Sequence, residues 1–308
     1  MSNRRVKLLI PKDRGEFVPL FFTIFLICAY VIFELYVILP TIYHNIFTYK
    51  EILHLIFGFY IIFNLIGNLY LCMITDTSIS TIICPVLLPS PIVISKSKEK
   101  IQQDIIYSHC NWHYCHNCEI NVPARSQHCH LCKICILKHD HHCTFLGRCI
   151  GFRNIRYYMC FLIWTWIGLV YCNILHMDYT YELVGTFSWR VIIACLCPFG
   201  AWLFGLVDHF SLILSCICST SIMLNLYILF LIIQQIILIK NSQTWYEYIK
   251  NIHIYQIGKS FQSNLQLVFG KRWYLILFNP LISSQPYGDG MSYDINIMET
   301  NPISTKRI

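Results

Sequence analysis

The sequence predicts an all-α polytopic membrane protein with four transmembrane helices and a cysteine-rich segment between the second and third. Three observations carry the prediction. Of 308 residues, 56% are hydrophobic and only 13% charged, against about 25% charged in a soluble domain. The apolar residues gather in runs of about 20, the length that spans a bilayer core of roughly 30 Å. Seven of the 17 cysteines fall between Cys115 and Cys149, a stretch with few large apolar groups.

The first run, 17–39, is interrupted only by Glu34; the second, 52–74, has no charge after Glu51; the third, 157–177, carries Trp164 and Trp166. The apolar region 191–239 is broken by Asp208 and His209, which read as a turn at the luminal surface. Its second part, 210–239, is long enough to span. Its first part, VIIACLCPFGAWLFGL, is short and contains Pro198 and Gly200, so it reads as shallow or re-entrant. Charge decides the count. With four crossings, residues 1–16, 75–156 and 240–308 share one side and hold 21 of the 23 Lys and Arg residues, leaving Lys50 and Arg190 opposite. The positive-inside rule puts those three regions in the cytosol.

The expected organisation is a cytosolic N-terminus (1–16), helices 1 and 2 (17–74), a cytosolic loop (75–156) with the cysteine-rich domain at 110–156, helices 3 and 4 with a luminal or re-entrant segment (157–239), and a cytosolic tail (240–308). Basic residues precede the first apolar run as in a signal peptide, but the run is too long and lacks a small-residue cleavage site, so a retained helix is expected. The net charge of +7 sits in the loops assigned to the cytosol and calls for no nucleic-acid partner. The patch SKSKEK (95–100) reads as a solvated linker.

Cytosolic thiols stay reduced, so the seven cysteines between Cys115 and Cys149 argue for metal rather than disulfides. The order is Cys115-x2-Cys118, then His128-Cys129-x2-Cys132-x2-Cys135, then His142 and Cys149. Six cysteines and two histidines make two Cys3His sets, the donor type of structural zinc. A two-residue gap lets both thiolates of a tight turn reach one ion, which pairs Cys115 with Cys118 and Cys129 with Cys132. Spacing alone leaves open who completes each pair, because Cys135 and His128 both lie near the second.

Eight ligands fill two zinc ions and leave Cys143 over, in the run HDHHC (139–143). A thiol beside an imidazole that takes its proton is an activated nucleophile, and a carboxylate fixes the tautomer of that imidazole. Asp140, His141 and Cys143 have these three chemistries. Residues 141 and 143 share a face of an extended segment, or lie within one helical turn, while His142 points elsewhere, which separates chemistry from metal binding.

Residues 115–154, CHNCEINVPARSQHCHLCKICILKHDHHCTFLGRCIGFRN, resemble the cysteine-rich domain of the DHHC palmitoyltransferases. The resemblance rests on the C-x2-C, P-x-R-x-x-H-C-x2-C-x2-C, D-H-H-C and C-x-G spacings, and four crossings with the loop between the second and third match the family architecture. It implies one zinc site of Cys115, Cys118, His128 and Cys135 and another of Cys129, Cys132, His142 and Cys149. It also implies a protein S-palmitoyltransferase, in which Cys143 takes a fatty acyl group from palmitoyl-CoA or another long-chain acyl-CoA as a thioester and passes it to a substrate cysteine. His141 would act as general base and Asp140 would orient it. The implied partners are the lipid bilayer, acyl-CoA and membrane-associated proteins with cytosolic cysteines; the implied location is the endoplasmic reticulum or Golgi membrane, with the active site on its cytosolic face. The rival reading is a catalytically silent zinc-binding scaffold, which would have no need of Cys143.

This chain has Thr144-Phe145 where the family commonly has Pro-Trp, and Gly147-Arg148 where Asn-Asn is frequent. The family's T-T-x-E motif is present only as Thr244-Trp245-Tyr246-Glu247, and SNLQLVFG (263–270) resembles a C-terminal family motif in which Asn264 would hold the tail against the active site. Arg125, Arg148 and Arg153, with Lys133 and Lys138, are the candidates to meet the phosphates of CoA. An acyl chain gains about 0.8 kcal/mol per buried CH2, so a cavity between the crossings would hold the co-substrate. His44, His54, His176 and His253 read as interfacial or surface residues, and Cys72, Cys84, Cys160 and Cys172 as packing residues, the first two within reach of acylation.

Overall fold

A computed structural model of the chain describes residues 14–43, 48–79, 112–184, 189–252 and 260–291. The basic residues before 14, His44, Cys84, the patch 95–100, His253 and the tail beyond 291 lie outside the described residues. Among the described residues, four helices are long and apolar enough to cross a membrane, Gly15–Ile42, Tyr49–Ile74, Ile155–Met177 and Ser211–Lys240, as expected of a multi-pass membrane protein.

In chain order, α1 (Arg14–Phe33) continues through a π-helical turn (Glu34–Ile38) into α2 (Leu39–Ile42), and α3 is Tyr49–Ile74. Strands β1 (His113–Cys115), β2 (Ile120–Val122), β3 (Gln127–Cys129), β4 (Ile134–Ile136), β5 (His141–Cys143) and β6 (Arg148–Ile150) follow. Then come α4 (Ile155–Val184), α5 (Trp189–Leu196), α6 (Pro198–Leu203), α7 (His209–Lys240), α8 (Trp245–Ile249), α9 (Phe261–Phe269) and α10 (Trp273–Ile276).

Hydrocarbon offers no partner for backbone N–H and C=O groups, so apolar runs of this length satisfy them within helices. Polar side chains inside the runs do the same locally. Asn64 donates to the Tyr60 carbonyl at 3.0 Å, Asn68 to the Asn64 carbonyl at 2.8 Å and Thr165 to the Phe161 carbonyl at 2.7 Å. α4 is the central helix, packed on α3 and on α7, around a core that includes Ile61, Leu65, Phe161, Leu162, Trp164 and Ile232. The outer faces stay apolar and exposed, for example at Phe21, Phe25, Phe59 and Phe230, which suits contact with lipid.

Residues 191–207 make no fifth crossing. They form the two short helices α5 and α6, with Pro198 opening the second. Asp208 caps α7, its carboxylate accepting from the Ser211 N–H at 3.1 Å, so the expected turn at 208–209 is the start of the last long helix. His176 corrects the surface reading. It is 2% exposed, and its Nε2 lies 2.6 Å from Oε1 of Glu34 in the π-helical turn. A carboxylate in an apolar run needs such a partner. Cys72 and Cys160 are fully buried packing residues.

The membrane part is helical throughout, whereas the cysteine-rich segment folds as three antiparallel two-stranded hairpins, β1–β2, β3–β4 and β5–β6. Left-handed residues close them: Glu119 and Lys133 follow the two C-x2-C turns with φ of 56° and 55°, and Gly147 has φ 57°. Glycine takes that conformation freely, which fits the Gly147-Arg148 sequence there. The hairpins sit on one end of the bundle. Leu137 N–H donates to the Thr77 carbonyl just past α3 at 3.0 Å, and Asn154 at the start of α4 donates to the Cys149 carbonyl at 3.0 Å. Gly151 lies under this junction, where a Cβ would come within 2.7 Å of the Leu137 carbonyl oxygen.

The tail folds back on the same end. Asn264 donates to the Lys240 carbonyl at the C-terminus of α7 at 2.9 Å, Trp164 to the Leu277 carbonyl at 2.7 Å and Tyr60 to the Phe278 carbonyl at 2.7 Å. Trp164 is therefore a core residue that ties the tail to α4.

Candidate metal and thiol centre

Among the described residues two groups of metal-capable side chains form, Cys115, Cys118, His128 and Cys135, and Cys129, Cys132, His142 and Cys149, with all ligand atoms of each group within 4.8 Å of one another. Strand register explains the interleaving. His128 stands opposite Cys135 across β3–β4, and His142 opposite Cys149 across β5–β6. Each cross-strand His/Cys pair completes the C-x2-C turn of the preceding hairpin.

These sets fit a tetrahedral ion. Nδ1 of His128 lies 3.2, 3.7 and 3.8 Å from the sulfurs of Cys118, Cys115 and Cys135, and Nδ1 of His142 lies 3.5 to 3.6 Å from those of Cys129, Cys132 and Cys149. Metal–ligand bonds of about 2.0–2.3 Å at tetrahedral angles give edges of roughly 3.5 Å. The thiols also need a cation to ionise together. Hydrogen bonds from Cys132 and Cys149 hold Cys129 far below the ordinary thiol range, and Cys149, facing Cys129 and Cys132, is pushed far above it. The outer nitrogen of His142, Nε2, lies 3.1 Å from the buried Glu16 carboxylate at the start of α1. A carboxylate there orients a metal-facing imidazole.

On the same strand, His141 presents Nδ1 to Asp140 Oδ2 at 2.7 Å. Asp140 is 3% exposed and saturated with donors: Gln235 Nε2 reaches Oδ2 at 3.1 Å, and the Trp245 N–H reaches Oδ1 at 2.8 Å. The Tyr246 N–H donates to its backbone carbonyl at 3.1 Å. Burial pushes Asp140 up, but the hydrogen bond with His141 and these donors outweigh it and hold the carboxyl below its usual range. Burial likewise pulls His141 down, but its hydrogen bond with Asp140 and the neighbouring Cys143 thiol win and hold it up at about 9. An imidazole held in this way keeps a proton more firmly than a free histidine does.

Arg125 requires a correction. Expected to meet phosphates, it is buried and grips Glu247 with two hydrogen bonds, Nε to Oε1 at 2.6 Å and Nη2 to Oε2 at 2.7 Å, while Nη2 also donates to the Ser242 carbonyl at 2.7 Å. Glu247 in turn closes a capping box with Thr244, accepting from its N–H at 2.9 Å. Thr244 and Glu247 thus shape α8 so that its first N–H groups point at Asp140. Arg125→Ala is expected to destabilise the protein by about 3–5 kcal/mol, because it leaves Glu247 buried and unpaired. Arg125→Met with Glu247→Leu should recover part of that in a thermal-melting comparison; equal melting of wild type and Arg125→Ala would remove the pair from the fold's support. Arg148 is half-buried, and Arg153 donates to the Asp76 carbonyl at 3.2 Å.

Cys143, 8% exposed, lines an apolar cavity of about 260 Å³ between the long helices, which passes Leu26, Ile61, Leu65 and Phe161 and extends to Glu34 and His54. Sequence reasoning missed Glu16, Gln235 and the Trp245 backbone. Gln234 and Gln235 as polar residues in an apolar run were the available signal.

Comparison with known proteins agrees with this geometry. Residues 108–252 match the family model described as DHHC palmitoyltransferase. The zebrafish (Danio rerio) protein named "Probable palmitoyltransferase ZDHHC24" is 34% identical over 185 residues, covering 60% of this chain and 62% of the relative. The rat (Rattus norvegicus) protein of the same name is 31% identical over 184 residues, 59% of this chain and 64% of the relative. Zebrafish "Palmitoyltransferase ZDHHC22" is 28% identical over 172 residues, 55% of this chain and 57% of the relative. The matched stretch spans about three fifths of these relatives' length. Residues 108–252, just under half of the chain, are thus similar to the DHHC palmitoyltransferase family.

Proposed function

We propose that the chain is a protein S-palmitoyltransferase that works through a thioester on Cys143. The observation that carries this reading is the position of Cys143, on the wall of an apolar cavity and beside a His141 that Asp140 anchors. In the first step His141 takes the Cys143 proton, the sulfur attacks the acyl-CoA thioester carbonyl, the new C–S bond forms and CoA leaves as its thiol. In the second step a substrate cysteine attacks the Cys143 thioester, receives the acyl group and returns Cys143 to its free form. The cavity would take the acyl chain, a palmitoyl or other long-chain tail. The partly buried Arg148 and Arg153 remain candidates for the CoA phosphates.

The two Cys3His sets would hold structural zinc and fix β5 against the membrane end of the bundle. Charge distribution supports a cytosolic face for this end, and the family resemblance supports an endoplasmic reticulum or Golgi membrane, with membrane-associated proteins bearing cytosolic cysteines as substrates. Incubating the purified, zinc-loaded protein with alkynyl palmitoyl-CoA and mapping adducts by mass spectrometry tests the reading. The expected result is a hydroxylamine-labile acyl group on the Cys143 peptide. An adduct on another cysteine would refute the assigned nucleophile, and no adduct at all would favour a catalytically silent zinc-binding scaffold.

A further inference from the structure

The end of the bundle away from the hairpins holds a pair of cysteines that the proposed reaction does not use. α5 turns Val191, Ala194 and Cys195, positions i, i+3 and i+4, toward the bundle: Val191 and Ala194 are buried and Cys195 half-buried, while Ile192, Ile193 and Leu196 are exposed. α7 turns Ser211, Leu214, Ser215 and Cys218 inward, all buried. Cys195 packs against the cluster of Ile38, Leu39, Leu175, Leu214 and Cys218, so the two thiols share one apolar contact between α5 and α7.

We propose that Cys195 and Cys218 form a disulfide on the luminal side of the membrane, pinning α5 to α7. The proposal rests on the topology given above, in which the metal-binding thiols face the reducing cytosol. α4 leaves the hairpins and α7 returns to them, so α5, between the two, lies at the opposite end. In a secretory membrane that end faces an oxidising compartment, where a facing cysteine pair persists as a disulfide. The neighbouring Cys218 thiol outweighs burial and draws the Cys195 thiol down to about 7, which favours the attacking thiolate.

The oxidant is a disulfide, either of an oxidoreductase or of oxidised glutathione. Half-exposed Cys195 attacks one of its sulfurs, expelling the other as a thiolate. Cys218 then attacks the Cys195 sulfur of the mixed disulfide and expels the second thiolate. Two protein thiols lose two electrons and two protons, and the oxidant becomes two thiols.

The test is differential alkylation of the full-length protein in cell membranes. Free thiols are blocked with N-ethylmaleimide under denaturing conditions, the sample is reduced, and a second isotopic label is applied before peptide mapping. A linker carrying an N-glycosylation acceptor inserted at Gly205, in a separate sample, reports which side that end faces. The expected result is second label on both Cys195 and Cys218, first label on Cys218 in Cys195→Ser, and glycosylation at 205. First label on both cysteines overturns the pairing, as does second label on Cys195 with Cys197 rather than Cys218. Glycosylation with free thiols places the failure in the pairing; free thiols without glycosylation place it in the topology.

Discussion

Removing the metals is expected to unfold the three hairpins together and abolish acylation of Cys143, while the four long helices remain. The reason is the size of the core that the hairpins own. Its buried apolar residues are essentially Ile79, Val122, Leu137 and Phe152 around Cys115 and Cys135, with Ile136 beside Cys129 and Cys149. Structural zinc contributes about 10–16 kcal/mol to folding in small peptides, far more than such a core. The interleaved ligands add a sharper expectation. β3–β4 supplies His128 and Cys135 to one site and Cys129 and Cys132 to the other, so the two sites share one hairpin. Cys118→Ser, which removes a ligand from one site only, should therefore weaken both, and elemental analysis should find well under one zinc per chain after mild chelation. Hydrogen exchange should show protection lost across 127–150 as well as 113–122. A variant that keeps one full zinc and full protection of β5–β6 would show that the sites fold independently, and the shared-hairpin argument would fail.

The parts of this molecule that were legible in sequence are those encoded locally. A C-x2-C turn is a half-site by itself, and apolar runs longer than a bilayer announce helices without any tertiary knowledge. The hairpins were not legible as strands, because three residues are too few to display a period of two, and the ligands rather than hydrophobic alternation set their register. Arg125 shows a different limit. A basic residue near a candidate nucleophile reads as a phosphate contact, but its partner Glu247 is 122 positions away and only the fold brings them together. Glu16 and Gln235 escaped for the same reason. Each approaches a residue of the DHHC run from a different membrane helix, and a single sequence carries no signal for such a meeting beyond an unexplained polar group at the end of an apolar run. Thr244 and Glu247 were visible as a partial motif, but the Trp245 between them is accommodated because the contact with Asp140 runs through its backbone N–H, which any residue except proline supplies.

His141→Ala is expected to slow Cys143 acylation by about 100- to 10,000-fold, the range for loss of a positioned general base. Because His141 points away from the metal set, both zincs should stay bound, which separates this loss from unfolding. Asp140→Asn should come close to the same loss by another route. Its amide can still meet the Trp245 N–H through one oxygen, but it no longer carries the charge that offsets burial and holds the His141 imidazolium up at about 9. The variant's imidazole should therefore titrate lower, and it should accept the Cys143 proton less readily. Gln235→Leu removes one neutral donor to Asp140 and leaves its charge in place, so its effect should be smaller, about tenfold, in line with the low end of the roughly 1.5–3 kcal/mol for one hydrogen bond to a charged group. The ordering matters more than any single value: His141→Ala and Asp140→Asn severe, Gln235→Leu mild, zinc content constant across all three. If Asp140→Asn acylated Cys143 as fast as wild type, the carboxylate would be a structural anchor for α8 alone. The N–H groups of Trp245 and Tyr246 would then explain its burial without any part in the chemistry.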